Sequence, residues 1–375
     1  MNNKTNQCIT LNDFKSQEIF LLLNKEYKDD LFEKSLLKAG SQSKLAILIK
    51  ENLDYQDIKQ STVSFLVKKA TLRLDLICFL CNFIDTEFDE KQILGIKGVK
   101  TSRMIYNPKL NLTLSSELAQ ILANLYCDGT IVESNCYTAT YYNSYMELIS
   151  RFKNNVVKVF GQVDLYEWKT NVNAINLPAF IGKLLYHKFQ LYNDNVPPQI
   201  MNSTEEIKSS YLQAVFDDEG SIHKQHGQIR IKMKPESYIE DIQKLVHEFG
   251  METSQVIKEQ DKRNGRSYYY FLISGMYNIR KFHDAIGFFH PKKKNLIIMH
   301  LNNIKTQNYG YKAKNLVYNV LQENGPLTAK QIAVKLNRDK RIVHHHLINL
   351  KKQNLVGYTK AKRKFVYEYV WKIIN

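Results

Sequence analysis

Apolar positions recur along this chain with two different periods, and the switches between them mark its parts. Up to about residue 100 the period is helical, with almost no turn residues before Gly95 and Gly98. Leu45, Ala46, Leu48 and Ile49 form one stripe behind a candidate N-cap, Ser41 or Ser43. Ser61 is placed to cap a second run, with Val63, Leu66 and Val67 on one side and Thr62, Ser64, Lys68 and Lys69 on the other. Two short helices around a tight connection make a helix-turn-helix candidate, and an ordinary helical bundle fits the same pattern. Cys78 and Cys81 have CxxC spacing, but they lie in an unbroken apolar helical run with no second pair, which points to core packing.

Lys97 to Leu114 reads as a linker with Gly98 and Asn107-Pro108. Beyond it the order becomes helix, two strands, helix, two strands, helix, and then repeats. The first copy opens with Ser115-Ser116-Glu117 and the helical run ILANLYCDGTI, Ile121 to Ile131. Period-2 segments rich in Thr and Tyr follow, then a helical MELISRFKNNVVKVFG that stops at Gly161. The second copy opens with Glu205-Glu206 and YLQAVFDDEGSI, Tyr211 to Ile222. Its hairpins turn at Gly227 and at Asn264-Gly265, around a helix running from Pro235 to Gly250. Each opening helix ends in a carboxylate followed by glycine, Asp128-Gly129 and Glu219-Gly220, with the acids 91 residues apart. A repeat of this length predicts an α+β domain with a pseudo-twofold pair of αββαββα units. The expected boundaries are 1–105 helical, 106–305 the paired repeats (about 111–204 and 205–305), and 310–375 a separate C-terminal domain.

That last domain reads as three helices and a β-hairpin. Thr328, Ile332, Ala333, Leu336, Val343, His346, Leu347, Leu350, Leu355 and Val356 carry a pattern that resembles the winged helix-turn-helix family. The resemblance implies DNA contacts from Arg338, Lys340, Arg341, His344 and His345, and a basic wing of Lys360, Lys362, Arg363 and Lys364. Consecutive helical residues point about 100° apart, so His344, His345 and His346 do not converge on one metal.

Composition narrows the partners. The chain of 375 residues is 44% hydrophobic, enough for full cores, and its formal net charge of +16 points to a polyanion, with nucleic acid leading. No apolar run reaches roughly the 18 residues of a membrane span, and no signal-peptide pattern opens the chain, so no membrane role is expected. Five cysteines inside apolar runs fit a reducing compartment. The expectation is a cytoplasmic protein, nucleoid-associated in a prokaryote.

The two opening helices resemble the LAGLIDADG motif of homing endonucleases and intein endonucleases. Ala123 and Ala214 stand at the family's first small position, where the two helices pack closely along the pseudo-twofold axis. Cys127 and Asp218 precede the acids. LQAVFDDEGSI matches the motif well, whereas in ILANLYCDGTI Tyr126 replaces a frequent acid. The tail IGFFHPKKKNLI, Ile286 to Ile297, also resembles the family. The resemblance covers roughly residues 111–305 and implies a monomeric saddle in the DNA major groove, flanked by the N-terminal helical domain and the C-terminal winged helix. It implies that Asp128 and Glu219, with the Gly129 and Gly220 positions, bind Mg²⁺ or Mn²⁺ for hydrolysis of double-stranded DNA. Carboxylates are hard oxygen ligands, and the negative end of a helix dipole favours a bound cation. Lys169 and Lys232 are the implied basic helpers. Gln228, Arg230 and Lys232 in one half, and Tyr141, Asn143 and Tyr145 in the other, are the implied base readers. LAGLIDADG domains also serve as non-cleaving DNA-binding modules, and a regulator with helix-turn-helix flanks is the alternative; an RNA role is a third. Intein splice-junction residues are absent at Met1 and before Asn375, so a free-standing endonuclease is expected over an intein.

Overall fold

The computed structural model describes residues 7–374 apart from 16–18, 54–59, 99–102, 136, 164, 170–172, 224–226, 262–264, 304–311, 337–338 and 364–365. It divides into two compact units, Met1–Ile297 and Ile298–Asn375.

The first unit is built on two helices, Ser116–Cys127 and Glu205–Glu219, packed against each other. Ser115 caps the first, its side chain accepting from the Leu118 N–H at 3.2 Å. Glu205 and Glu206 stand in the first turn of the second, where the helix dipole favours acids. The helices run side by side in the same direction. Ser116 Oγ meets Glu206 Oε1 at 3.4 Å near their starts, and Asn124 Nδ2 donates to Asp218 Oδ2 at 2.7 Å near their ends. Ala119, Ala123 and Ala214 on these two helices are completely buried.

Each helix feeds a four-stranded antiparallel sheet. The first has the order Tyr166–Lys169, Asn173–Asn176, Thr138–Asn143, Gly129–Val132. The second has the order Gly220–Ile222, Ile229–Met233, Ser267–Ile273, Ile257–Gln260. Helices Met146–Phe160 and Ala179–Lys188 complete the first repeat, and Glu236–Glu248 and Met276–Ala285 the second. This is the expected αββαββα order twice over, in an α+β fold. Gly129 and Gly220 make the helix-to-strand turn. A Cβ on Gly129 would lie 2.5 Å from Leu125 Cα, and one on Gly220 2.5 Å from the Phe216 carbonyl oxygen.

The first 98 residues differ from the helical expectation. Helices Lys25–Ala39, Gln42–Asn52, Gln60–Lys68 and Leu74–Phe83 are present. Ser41 caps the second of them, accepting from the Lys44 N–H at 3.2 Å, whereas Ser61 lies inside the third. Strands Ile19–Leu23, Thr71–Arg73 and Ile93–Gly98 join Ile105–Tyr106 and Gln162–Val163 in a five-stranded sheet. The first of these strands is Ile-Phe-Leu-Leu-Leu, an apolar run in which helix and strand cannot be separated by period; pairing on both sides decides it. Cys81 is buried and Cys78 half-buried on the last helix.

The second unit has helices Lys312–Asn324, Ala329–Lys335 and Lys340–Lys352 and a three-stranded sheet of Leu327–Thr328, Val366–Ile373 and Val356–Arg363. Thr328 and Gln331 form a reciprocal capping box. Val343, Leu347 and Leu350 turn inward onto Val317, Ile332 and Trp371. No helix among the described residues is long and apolar enough to cross a membrane.

Close packing of the central pair leaves no room for larger side chains. Ala214→Leu is expected to lower unfolding free energy by about 1–3 kcal/mol, read as a lower denaturant midpoint. An unchanged midpoint would mean that the two helices are not tightly packed at this position.

Candidate active site

The central helices end together, so Asp128, at the C-cap of the first, and Glu219, the last residue of the second, belong to one charged cluster. Neither carboxylate is in open water. Burial raises the Asp128 carboxyl above the usual range, and Lys293 opposes the shift. Burial, reinforced by the Asp128 charge, pushes Glu219 from 4.5 up to about 7. A third acid joins them. Asp218 is half-buried, and burial followed by the Asp128 charge raises its carboxyl well above normal. Asn124 Nδ2 donates to its Oδ2, and Tyr141 Oη donates to its Oδ1 at 2.9 Å. Asn143 Nδ2 lies 3.2 Å from Asp128 Oδ2, 3.3 Å from Asp218 Oδ1 and 3.1 Å from Tyr141 Oη, which ties the two acids into one network.

The counter-charge comes from Lys293. Its Nζ donates to the carbonyl oxygens of Phe216 (3.2 Å) and Asp218 (3.4 Å), in the last turn of the second central helix. Burial depresses its ammonium, while Asp217, Asp218, Asp128 and Glu219 all favour its charge. Asp217 has a separate task. Its Oδ1 accepts from the Phe289 and His290 N–H groups at 3.0 and 2.8 Å, and its Oδ2 faces Arg151 Nη2 at 2.8 Å. The Arg151 guanidinium also lies 4.4 Å from the Phe289 ring centroid. Asp217 therefore fastens the segment before Pro291, and with it the start of the helix carrying Lys293, to the central pair.

Several expected site residues gather here and others do not. Lys232 lines a cleft of about 520 Å³ together with Glu219, Lys234 and Tyr268. Gly129 also lines this cleft, and both motif glycines meet the steric need of the turn. Tyr141 and Asn143 point inward, at 0% and 8% exposure, instead of toward a groove. Strand alternation puts Tyr142 on the outer face and leaves its neighbours to the acid network. Tyr145 packs against His290, with ring centroids 4.0 Å apart. Arg230 and Lys232 are on the outer face of the second sheet, opposite to the buried Ile229, Ile231 and Met233; Gln228 precedes that strand. The Lys169 side chain lies outside the described residues. In the second unit, Lys340, Arg341, His344, His345 and Lys360 are exposed. Arg338, Lys364 and the side chains of Lys362 and Arg363 lie outside the described residues. Sequence reasoning missed Lys293, although Ile297 and Leu301, four and eight residues on, are buried. A lysine in register with an apolar stripe was the available signal.

Residues 206–287 match the model of the LAGLIDADG-like domain. The chain contains a LAGLIDADG-like domain. It is 24% identical over 243 residues to glutamine–fructose-6-phosphate aminotransferase of Methanocaldococcus jannaschii, a match covering 59% of this chain and 21% of that protein. It is 29% identical over 234 residues to the replication factor C small subunit of the same organism, covering 60% of this chain and 12% of that protein. The chain thus spans only a small part of either relative. Among solved structures, I-DmoI in complex with DNA and Mn is 16% identical, covers 47% of this chain and 98% of its own, and has a TM-score of 0.36. Full-length DUF199/WhiA from Thermatoga maritima is 14% identical, covers 64% of this chain and 92% of its own, and has a TM-score of 0.34.

The donor set around Asp128 and Glu219 fits a hard divalent cation: oxygens predominate, and both carboxylates are partly accessible at the helix ends. Among the described residues no three His, Cys, Asp or Glu side chains are grouped so as to hold a metal ion by themselves. Mg²⁺ does not need such a group, since it binds through one or two carboxylates and takes its other ligands from water and substrate phosphates.

The raised Glu219 carboxyl has a consequence for stability. Between about 4.5 and about 7 the folded chain holds a proton that the unfolded chain has released. This contribution to stability is therefore lost as pH rises through about 7. Glu219→Gln is expected to raise the melting temperature of the metal-free protein by several degrees at pH 8 and to change it little at pH 5. An equal change at both pH values would show that Glu219 is not buried as a charge.

Proposed function

We propose that the chain binds double-stranded DNA along its two four-stranded sheets and cleaves it at Asp128 and Glu219 with Mg²⁺ or Mn²⁺, as a site-specific endonuclease of LAGLIDADG type. The observation that carries this reading is the convergence of two acids 91 residues apart in one polar cluster at the ends of parallel helices. Carboxylates perturbed by burial and by each other in a cleft are candidates for a functional site. Bound divalent ions would supply an activated water and stabilise the leaving 3′ oxygen.

The remaining tasks fall to the chain itself. Asn143 orients the Asp128 carboxylate. Lys293 neutralises the last turn of the second helix and keeps it in place. Lys232 and Lys234, beside Glu219 in the cleft, attract a phosphate. The outer face of the second sheet offers Arg230 and Lys232 to base edges and phosphates in the major groove. Both carboxylates come from one chain, so a monomer suffices. In the second unit we read a winged helix-turn-helix, with Lys340–Lys352 as its groove helix and the hairpin as its wing; the exposed Lys340, Arg341 and Lys360 support that reading.

One feature favours a second reading, a DNA-binding regulator that does not cut. Lys293 already supplies an internal cation to the acid cluster, and such a cluster is tolerable without any metal.

The test is nicking and double-strand cleavage of a random-site duplex library with Mg²⁺ and then Mn²⁺. The parent is expected to cut. Asp128→Asn and Glu219→Gln are expected to lose at least about 100-fold in rate while keeping DNA affinity within a few-fold. Cutting by either variant at the parental rate would remove that acid from the mechanism. Tight binding without any nicking by the parent would select the regulator.

A further inference from the structure

The outer face of the second sheet is not uniformly basic. Antiparallel register puts directly opposed residues on the same face. Arg230 opposes Leu272, Lys232 opposes Tyr270, Glu259 opposes Tyr268, and Ile257 opposes Tyr270. Two cations, two tyrosines and one carboxylate therefore share this surface. Glu259 bonds to both cations: Oε2 accepts from Arg230 Nη2, and Oε1 lies 3.0 Å from Lys232 Nζ. Each cation also sits over a ring. The Arg230 guanidinium is 3.9 Å from the Tyr270 centroid, and Lys232 Nζ is 4.8 Å from that of Tyr268. Arg230 Nε is buried in this arrangement and has no hydrogen-bond partner, so the guanidinium retains an unused donor.

A carboxylate has no obvious place on a surface whose task is to attract phosphates. These ion pairs are part-exposed, so they add little to stability. Their effect lies in what DNA meets. A lone Arg or Lys pulls on every phosphate alike, and this pull is the sequence-independent part of DNA affinity. Glu259 cancels one of the two positive charges and repels any phosphate that approaches. In the major groove a carboxylate can be satisfied by the amino group of cytosine, and a guanidinium by O6 and N7 of guanine. An Arg–Glu pair held on tyrosines can therefore be satisfied at a G·C pair, and it is penalised where that pair is absent. Specificity of this type rests on a repulsive group as well as an attractive one.

We infer that Glu259 is a specificity-determining residue: it restrains Arg230 and Lys232, lowers affinity for arbitrary DNA, and selects a G·C pair in the target. The inference rests on the proposed DNA reading but not on cleavage, so it holds equally for a nuclease and for a regulator.

The experiment measures binding of the full chain and of Glu259→Gln to two duplexes over a range of salt. One duplex is the site enriched from a random library by the parent; the other is a scrambled duplex of equal length. Glu259 is part-exposed on an edge strand, and matching melting curves establish that the variant folds. The variant is expected to bind scrambled DNA about tenfold more tightly near physiological salt, with a salt slope steeper by about one unit. Its ratio of target to scrambled affinity should fall, and a library re-selected with it should lose the preference at one base pair. Affinities and selected sequence equal to the parent's would overturn the inference. So would an equal gain on both duplexes, which would make Glu259 a general attenuator of charge. A parent that binds neither duplex would overturn the DNA reading itself and the inference with it.

Discussion

The first unit depends on holding like charges together out of water. Two parallel helices pack against each other, and that packing carries their terminal acids into one cluster. Each ionised carboxylate there makes the next harder to ionise, and burial opposes all of them. Much of the surrounding structure answers this cost. Lys293 brings a cation to the last turn of the second helix. Asn124, Tyr141 and Asn143 supply donors to Asp218 and Asp128. Asp217 and Arg151 hold in place the segment that delivers Lys293.

The two halves match in topology and differ in chemistry. By register Gly129 opposes Tyr141 and Gly220 opposes Ile231, so those strands correspond. In the first half the inward positions are Tyr141 and Asn143; in the second they are Ile231 and Met233. Four residues before the acid stand Asn124 and Val215, and one before it stand Cys127 and Asp218. The first repeat thus provides the polar shell for an acid of the second. The outer faces differ too: the first sheet exposes Tyr142, and the second presents Arg230, Lys232 and Glu259. One framework used twice has become an asymmetric surface, with its side-chain charge concentrated on the second sheet among the described residues.

The repeat was legible because it rests on features that survive in one dimension. The helix ends at Asp128-Gly129 and Glu219-Gly220, the alternation in Ile229–Met233 and the capping Thr328 are all local. What stayed hidden was relational. Ile19–Leu23 is too short and too uniformly apolar to betray its state, which its neighbours on both sides decide. The strand Thr138–Asn143 is rich in polar and aromatic residues on both faces, so its sequence did not show that Tyr141 and Asn143 turn inward toward an acid from the other repeat. Lys293 is 74 residues from Glu219 in sequence, and only the fold of the IGFFHPKKKNLI tail joins the two. Glu259 belongs to the same class, since its meaning comes from the strand pairing beside it.

We propose that the clustered carboxylates of Asp128 and Glu219 bind a divalent metal on DNA. The most direct measurement is anomalous scattering from Mn²⁺ in crystals of the chain bound to its selected duplex. The account predicts Mn²⁺ coordinated by both carboxylates and by phosphate oxygens of the DNA. A well-ordered complex with no Mn²⁺ at either acid, and Lys293 as the cation serving the cluster, would contradict it.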